Sequence, residues 1–276
     1  MESNHGIFRA LNGNVYGNLS SNQALVLVHG LGTTQSVWQN IIPFLAYFFH
    51  LKIIVFDLAF SPNVSPPMYQ PQKYSNYSGY ATDLVNVLDE LKVDQVIYMG
   101  HSMGAMIGCI AAVRRPRLFR HLILLTPNPR YLNDRGYYGG FSKHDVEMIF
   151  KHISQNYRDW VQTFAPKAIG VNDKIAISTY ENSLMKMNPK ITLSVVKAAL
   201  LSDWRSLLPK VRVPTTIIHV KKDFAVPDKV AYFTKKRLGG HSQLIILLTQ
   251  GHFPHLTAPV LLLKVLGGII SKIITK

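Results

Sequence analysis

Acidic side chains are scarce in this 276-residue chain: fifteen Asp and Glu stand against thirty Lys and Arg, a formal net charge of +15. Cysteine is scarcer still. Cys109 is the single one, so no intramolecular disulfide can form and a disulfide-stapled scaffold is excluded. The lack of a disulfide framework suits a reducing compartment. The start, Met1-Glu2-Ser3-Asn4-His5-Gly6, has no basic stretch leading into an apolar run, so no secretory signal is expected. Long apolar runs are missing too. The richest, Pro259 to Lys276, is interrupted by Lys264 and by Gly267-Gly268 and falls short of the roughly 20 apolar residues that span a bilayer. It reads as a buried terminal helix, and no membrane span is expected.

What is plentiful is apolar side chain: 47% of residues are hydrophobic and 11% aromatic, enough to exclude a disordered chain. At this length one large domain with a full core is accessible. The basic excess gathers at Arg114-Arg115-Pro116-Arg117, Lys221-Lys222 and Lys235-Lys236-Arg237. Each cluster sits where a helix ends or a strand meets a loop, as partners of helix C-terminal dipoles and solvated rims do. No nucleic-acid motif or aromatic-interleaved basic stripe accompanies them, so no nucleic-acid partner is expected. The excess could attract an acidic partner or an anionic surface. No His, Cys or carboxylate pair has metal-ligand spacing, and neither a metal nor a cofactor is implied.

Short apolar runs alternate with amphipathic segments, the pattern of an α/β fold whose mostly parallel sheet is covered by helices. Candidate strands are Ala24–His29, Lys52–Asp57, Gln95–Met99, His121–Thr126, Thr215–Val220 and Gln243–Thr249. Leu84, Val87, Leu88 and Leu91 recur at helical spacing and mark one buried helix face. From about 129 to 208 no strand pattern occurs. Ser142 with Asp145 resembles a capping box, and Asn188-Pro189 ends one helix and opens the next. The expected organisation is therefore one domain over 1–276, with a core of 1–128 and 209–276 and a helical lid inserted between.

Within that frame Gly100-His101-Ser102-Met103-Gly104 reads as a nucleophile elbow, with an apolar strand before it and an Ala/Ile-rich helix after it. A serine hydroxyl is a weak nucleophile at neutral pH and needs a base to take its proton. That base, usually histidine, is held in one tautomer by a buried carboxylate. On this kind of sheet the partners follow in the order Ser, Asp or Glu, His, each on a loop after a strand. Asp223 and His252 satisfy that order, with Asp228 and His255 as near-sequence competitors. The developing oxyanion also needs donors, each worth about 3–4 kcal/mol. The Met103 backbone N–H is one, and the loop Val28-His29-Gly30-Leu31-Gly32 should supply the other from Leu31.

Beyond the elbow, several stretches resemble the plant strigolactone and karrikin receptor family of α/β-hydrolases, which are related to bacterial stress-regulator hydrolases. They are Gly100 to Gly108, Pro129-Arg130-Tyr131 with Gly139-Gly140-Phe141, Asn156-Tyr157 with Trp160, Phe164-Ala165-Pro166, and Lys222 to Pro227. The similarity runs from about Asn22 to Ala258. Phe56-Asp57 with Phe60-Ser61, Met185-Lys186-Met187 and Ala231-Tyr232-Phe233 look nearest to the receptor-like orphan branch.

The resemblance implies a four-helix, V-shaped lid over an apolar pocket with Ser102 at its floor. It implies Tyr131, Phe141, Trp160 and Phe164 as ligand-binding positions, although a plain lid-core role suits each aromatic equally. It also implies a small butenolide-type ligand, slow hydrolysis, an F-box protein and a transcriptional repressor as partners, a monomeric chain, and a cytoplasmic or nuclear location. The departures are Leu31 where the receptors usually carry Phe, a loop Leu58-Ala59-Phe60-Ser61-Pro62 without the usual glycines, and the strong positive charge. A general carboxylesterase of small metabolites, without a signalling role, is the alternative.

Overall fold

The computed structural model describes residues 6–275. Met1 to His5, read above for a leader signal, and Lys276 lie outside them. Seven strands occur among the described residues: β1 (Asn14–Gly17), β2 (Ala24–Val28), β3 (Lys52–Val55), β4 (Val96–His101), β5 (Phe119–Leu125), β6 (Thr215–Lys222) and β7 (Ser242–Gln250). The helices are α1 (Ile7–Ala10), α2 (Ile42–Phe49), α3 (Tyr77–Glu90), α4 (Met103–Arg114), α5 (Lys143–Gln155), α6 (Tyr157–Ile169), α7 (Lys174–Met185), α8 (Pro189–Leu201), α9 (Asp228–Arg237), α10 (Pro254–Thr257) and α11 (Pro259–Ile274). The strands form one sheet in the order β1-β3-β2-β4-β5-β6-β7, with every pair parallel except β1 on β3.

The central strands are buried on both faces, as parallel sheets require. Along β2, Val26 and Val28 join one apolar cluster while Leu25 and Leu27 join the other. The same alternation sends Tyr98 of β4 to the first cluster and Ile97 and Met99 to the second. Helices α3 and α4 and the inserted helices close the first face, and α2 and α11 close the second. In α3 the expected stripe is buried at Leu84, Val87 and Leu88, with Leu91 at the C-cap. The terminal apolar stretch is a helix that buries Leu262, Leu266, Ile269 and Ile270 against the sheet. Among the described residues no helix is long and apolar enough to cross a membrane.

All six expected strands are present, with ends displaced by a few residues. Strand β1 has no counterpart in the sequence reading. Its four residues are mostly exposed and include a glycine at φ +77°, so no apolar alternation marks it. Four helices, α5 to α8, fill the interval between β5 and β6, where the extended pairing is limited to the isolated bridges Leu132↔Phe141 and Asp134↔Tyr137. Their starts carry the expected signals. Ser142 and Asp145 form a reciprocal capping box on α5, and the Asn188 side chain caps α8 with Pro189 as its first residue.

The strand order reverses around β2, which has β3 on one side and β4 on the other. Crevices beyond the carboxyl ends of strands at such a reversal are where ligands bind in open α/β sheets. Here that places the loop after β2 beside the turn after β4, because Val28 pairs with Gly100.

Candidate active site

Ser102 occupies the turn between β4 and α4 at φ +54° and ψ −117°, a backbone region that costs a non-glycine residue about 1–3 kcal/mol. Its N–H donates to the Leu125 carbonyl at 2.9 Å, so the neighbouring strand holds the turn. The flanking glycines permit the bend. A Cβ on Gly100 would lie 2.4 Å from the Gly104 carbonyl oxygen, and one on Gly104 would lie 2.7 Å from the carbonyl oxygens of Val28 and His29.

The structure brings Ser102, His252 and Asp223 into one hydrogen-bonded line. His252 Nδ1–H donates to Asp223 Oδ2 at 2.7 Å. That contact fixes the tautomer, because a carboxylate only accepts, and leaves Nε2 free to accept from Ser102 Oγ–H at 2.8 Å. The Asp223 carboxylate is fully buried, and its other oxygen accepts from the Ala225 and Val226 N–H groups at 2.8 and 3.1 Å. His252 is itself tethered twice through its backbone. Its N–H donates to Ala168 of α6 at 2.8 Å, and its carbonyl accepts from His101 Nε2–H at 2.8 Å. Burial pushes the His101 pKa well below its ordinary value, so this ring stays neutral beside the site.

The competitors stand elsewhere. Asp228 is an exposed residue in the first turn of α9. His255 lies in the short α10, separate from the terminal helix α11, and stacks on Trp38 with ring centroids 4.7 Å apart. Its ring is fully buried, and that burial pushes its pKa down to about 3.

The loop after β2 is held by a second buried histidine. The Leu58 N–H donates to His29 Nε2 at 2.9 Å, so that nitrogen carries no proton and Nδ1–H donates to the Gly30 carbonyl at 2.9 Å. Asp57 braces the same loop by accepting from the Gln35 N–H at 2.7 Å, and its other oxygen accepts from Asn12 Nδ2, ahead of β1, at 2.7 Å. Leu31 on this loop and Met103 at the start of α4 both border a cavity directly over Ser102 and His252. As the first residue of a helix, Met103 has an N–H without an intrahelical acceptor.

The cavity, about 60 Å³, lies between the sheet's carboxyl end and helices α5 to α8, and its walls are predominantly apolar. Tyr131, Phe141, Trp160 and Phe164 all line it. The Tyr131 hydroxyl sits 3.3 Å from Ser102 Oγ and can donate to it while Ser102 donates to His252. Trp160 and Phe164 stack at 5.1 Å on one face of α6. The sequence reading did not single out Tyr77, Tyr180 and Phe253, which also line the cavity. Tyr77 opens α3, Tyr180 lies mid-α7, and Phe253 follows His252. At these positions an aromatic residue reads as ordinary core. For Phe253 the signal was adjacency to His252.

The chain matches the α/β-hydrolase fold family over residues 23–184. It is 39% identical to the strigolactone esterase of Arabidopsis thaliana, covering 96% of this chain and 97% of that protein. It is 41% identical to a karrikin insensitive 2 receptor of Petunia hybrida, over 90% of this chain and 91% of the other. Among solved structures, a hydrolase from Oleispira antarctica superposes with a TM-score of 0.91 at 27% identity, covering 96% of each chain. The enol-lactonase of Burkholderia xenovorans shares the fold at a TM-score of 0.80 and 16% identity, again over 96% of each chain. A nucleophile elbow on a parallel sheet, four inserted helices and this similarity over nearly the whole length lead to one conclusion: the chain belongs to the α/β-hydrolase fold family, in the group that holds the strigolactone esterases and karrikin receptors.

Proposed function

We propose that this protein is a serine hydrolase with receptor-like character that binds butenolide-type ligands, of the strigolactone or karrikin kind, and hydrolyses them slowly. The observation that carries the reading is the chain of 2.7 and 2.8 Å hydrogen bonds from Asp223 through His252 to Ser102, set beneath an apolar cavity. Relatives named as a strigolactone esterase and karrikin receptors support the ligand class.

In this reading Ser102 Oγ attacks the ester or lactone carbonyl carbon while His252 Nε2 takes the hydroxyl proton. The carbonyl oxygen becomes an oxyanion and accepts from the Leu31 and Met103 N–H groups. As the tetrahedral adduct collapses, the carbon–oxygen bond to the leaving group breaks, and His252 returns the proton to the departing oxygen. Water, giving a proton to the same histidine, then attacks the acyl-serine; the bond from the acyl carbon to Ser102 Oγ breaks, and His252 returns the proton to that oxygen. Asp223 keeps Nδ1 protonated throughout and stabilises the imidazolium. Tyr131, Phe141, Trp160 and Phe164 form the ligand-binding wall. The chain divides into a core of 1–128 and 209–276 with a lid of 129–208. Capture of an F-box protein and a transcriptional repressor on that lid, in the cytoplasm or nucleus, belongs to the same proposal.

The test is intact-protein mass spectrometry after incubation with a synthetic strigolactone analogue. A butenolide-sized mass increase mapped to Ser102 or His252 is expected. Rapid turnover of short-chain nitrophenyl esters with no such adduct would favour a general carboxylesterase instead.

A further inference from the structure

Three tyrosines border the cavity, and their hydroxyls differ in occupation. Tyr131 is within reach of Ser102 Oγ, and Tyr180 donates to the Leu31 carbonyl at 3.3 Å. The Tyr77 hydroxyl is buried and has no hydrogen-bond partner in the protein. Tyr77 is the first residue of α3, is 1% exposed, and its ring lies stacked on Trp204 at 6.0 Å and 15°. The Trp204 backbone is in turn anchored, its main-chain N–H donating to the Pro129 carbonyl at 2.8 Å. The ring is therefore held between the core and the segment that closes the insertion.

Withdrawing a hydroxyl from water without giving it a partner opposes folding, and a phenylalanine would fill the same space without that cost. Buried polar groups left unsatisfied by the protein call for an explanation, and here the residue that carries the group lines the ligand cavity. Burial raises its pKa far above the ordinary value, so it presents an intact O–H to whatever enters. The reacting carbonyl has its donors in the Leu31 and Met103 amides, so Tyr77 meets a different oxygen.

We propose that Tyr77 is a specificity-determining residue whose O–H donates to a second oxygen of the ligand, a carbonyl or ether oxygen carried on its apolar body. The proposal rests on the reading of Ser102 as nucleophile. It narrows the ligand class to molecules with two oxygen functions, one attacked at Ser102 and one held at Tyr77. A site built to bond a polar group discriminates against the analogue lacking it more strongly than an apolar wall discriminates shape.

The probes are p-nitrophenyl esters of straight-chain acids, each paired with a keto analogue whose oxygen moves from C4 to C7. The keto-to-alkyl ratio of kcat/KM is measured for the wild type and for Tyr77→Phe, which cancels the intrinsic reactivity of each ester. We expect one chain position where the wild type favours the keto ester about tenfold and Tyr77→Phe loses that preference. The same pairs are titrated against Ser102→Ala and Ser102→Ala/Tyr77→Phe by tryptophan fluorescence quenching, which reads binding without turnover. Dissociation constants should differ about tenfold at the same position. Identical profiles with and without the hydroxyl, in both measurements, overturn the proposal. So does a lower Tm for Tyr77→Phe, which would mean the hydroxyl bonds within the protein. Hydrolysis that survives Ser102→Ala while the Tyr77 preference persists would remove the nucleophile reading and leave the Tyr77 contact standing.

Discussion

Gly251, the residue before His252, packs directly on Gly170, the left-handed residue that ends α6. A Cβ on Gly170 would lie 2.7 Å from the Gly251 Cα, and one on Gly251 would lie 1.8 Å from the Ile169 carbonyl oxygen. With the His252 N–H bonded to the Ala168 carbonyl, the end of an inserted helix and the loop bearing His252 are joined. The end of α6 thus helps to set the position of the histidine.

That contact tolerates no side chain. Gly251 also holds φ +91°, so Gly251→Ala should lose about 2–4 kcal/mol of stability from collision and backbone strain together. Urea unfolding gives the stability, and ester hydrolysis under folding conditions should fall in parallel. An alanine variant with wild-type stability and rate would show that the close backbone approach of Gly251 and Gly170 is not required.

Ser102→Ala removes the attacking oxygen and leaves the fold. Hydrolysis of a fluorogenic butenolide ester should drop by at least about 10³-fold, with the far-ultraviolet circular dichroism and the melting temperature near those of the wild type. Turnover persisting at the wild-type rate would disprove the mechanism.

Asp223→Asn keeps the volume and the acceptor for the Ala225 and Val226 N–H groups. The amide NH₂ would then face His252 Nδ1, favouring the tautomer with its proton on Nε2, which cannot accept from Ser102. A fall in kcat of about 10³–10⁴-fold is expected, with little change in ligand dissociation constant. Steady-state kinetics combined with titration of the Ser102→Ala form separates the two effects.

Acid should destabilise the protein through its buried histidines. Burial lowers the pKa of His29, His101, His219 and His255, the last to about 3, whereas the unfolded chain takes up protons near 6.5. The unfolded state therefore binds more protons below pH 6.5. Stability from these groups is complete above that value and is lost as pH falls toward the folded pKa. Each histidine contributes up to about 1.4 kcal/mol per pH unit in that window. Urea unfolding between pH 7 and 4.5 measures the slope, and His255→Phe should lessen it by up to one proton. An unchanged slope in that variant would contradict the assignment.

Cys109 is buried in α4, and burial pushes its pKa up to about 12, so it carries no appreciable thiolate at neutral pH. Iodoacetamide should label the native protein negligibly and the urea-unfolded protein fully, as read by intact mass. Rapid native labelling would show that α4 opens.

The sequence alone determined the layered α/β arrangement, because strands buried on both faces are continuous apolar runs that local pattern reveals. It also determined the order of Ser102, Asp223 and His252, because the elbow glycines and the strand-end loops are local features. It left β1 unread: an exposed edge strand of four residues carries no apolar alternation, and only its antiparallel pairing with β3 defines it. Tertiary structure decided between His252 and His255, three residues apart, by putting one ring on a buried carboxylate and the other on Trp38. It likewise gathered Tyr77, Tyr131 and Tyr180 from the start of α3, the loop after β5 and α7 into one cavity. Local pattern records which residues avoid water. Which of them face each other across a cavity is set by how distant elements pack.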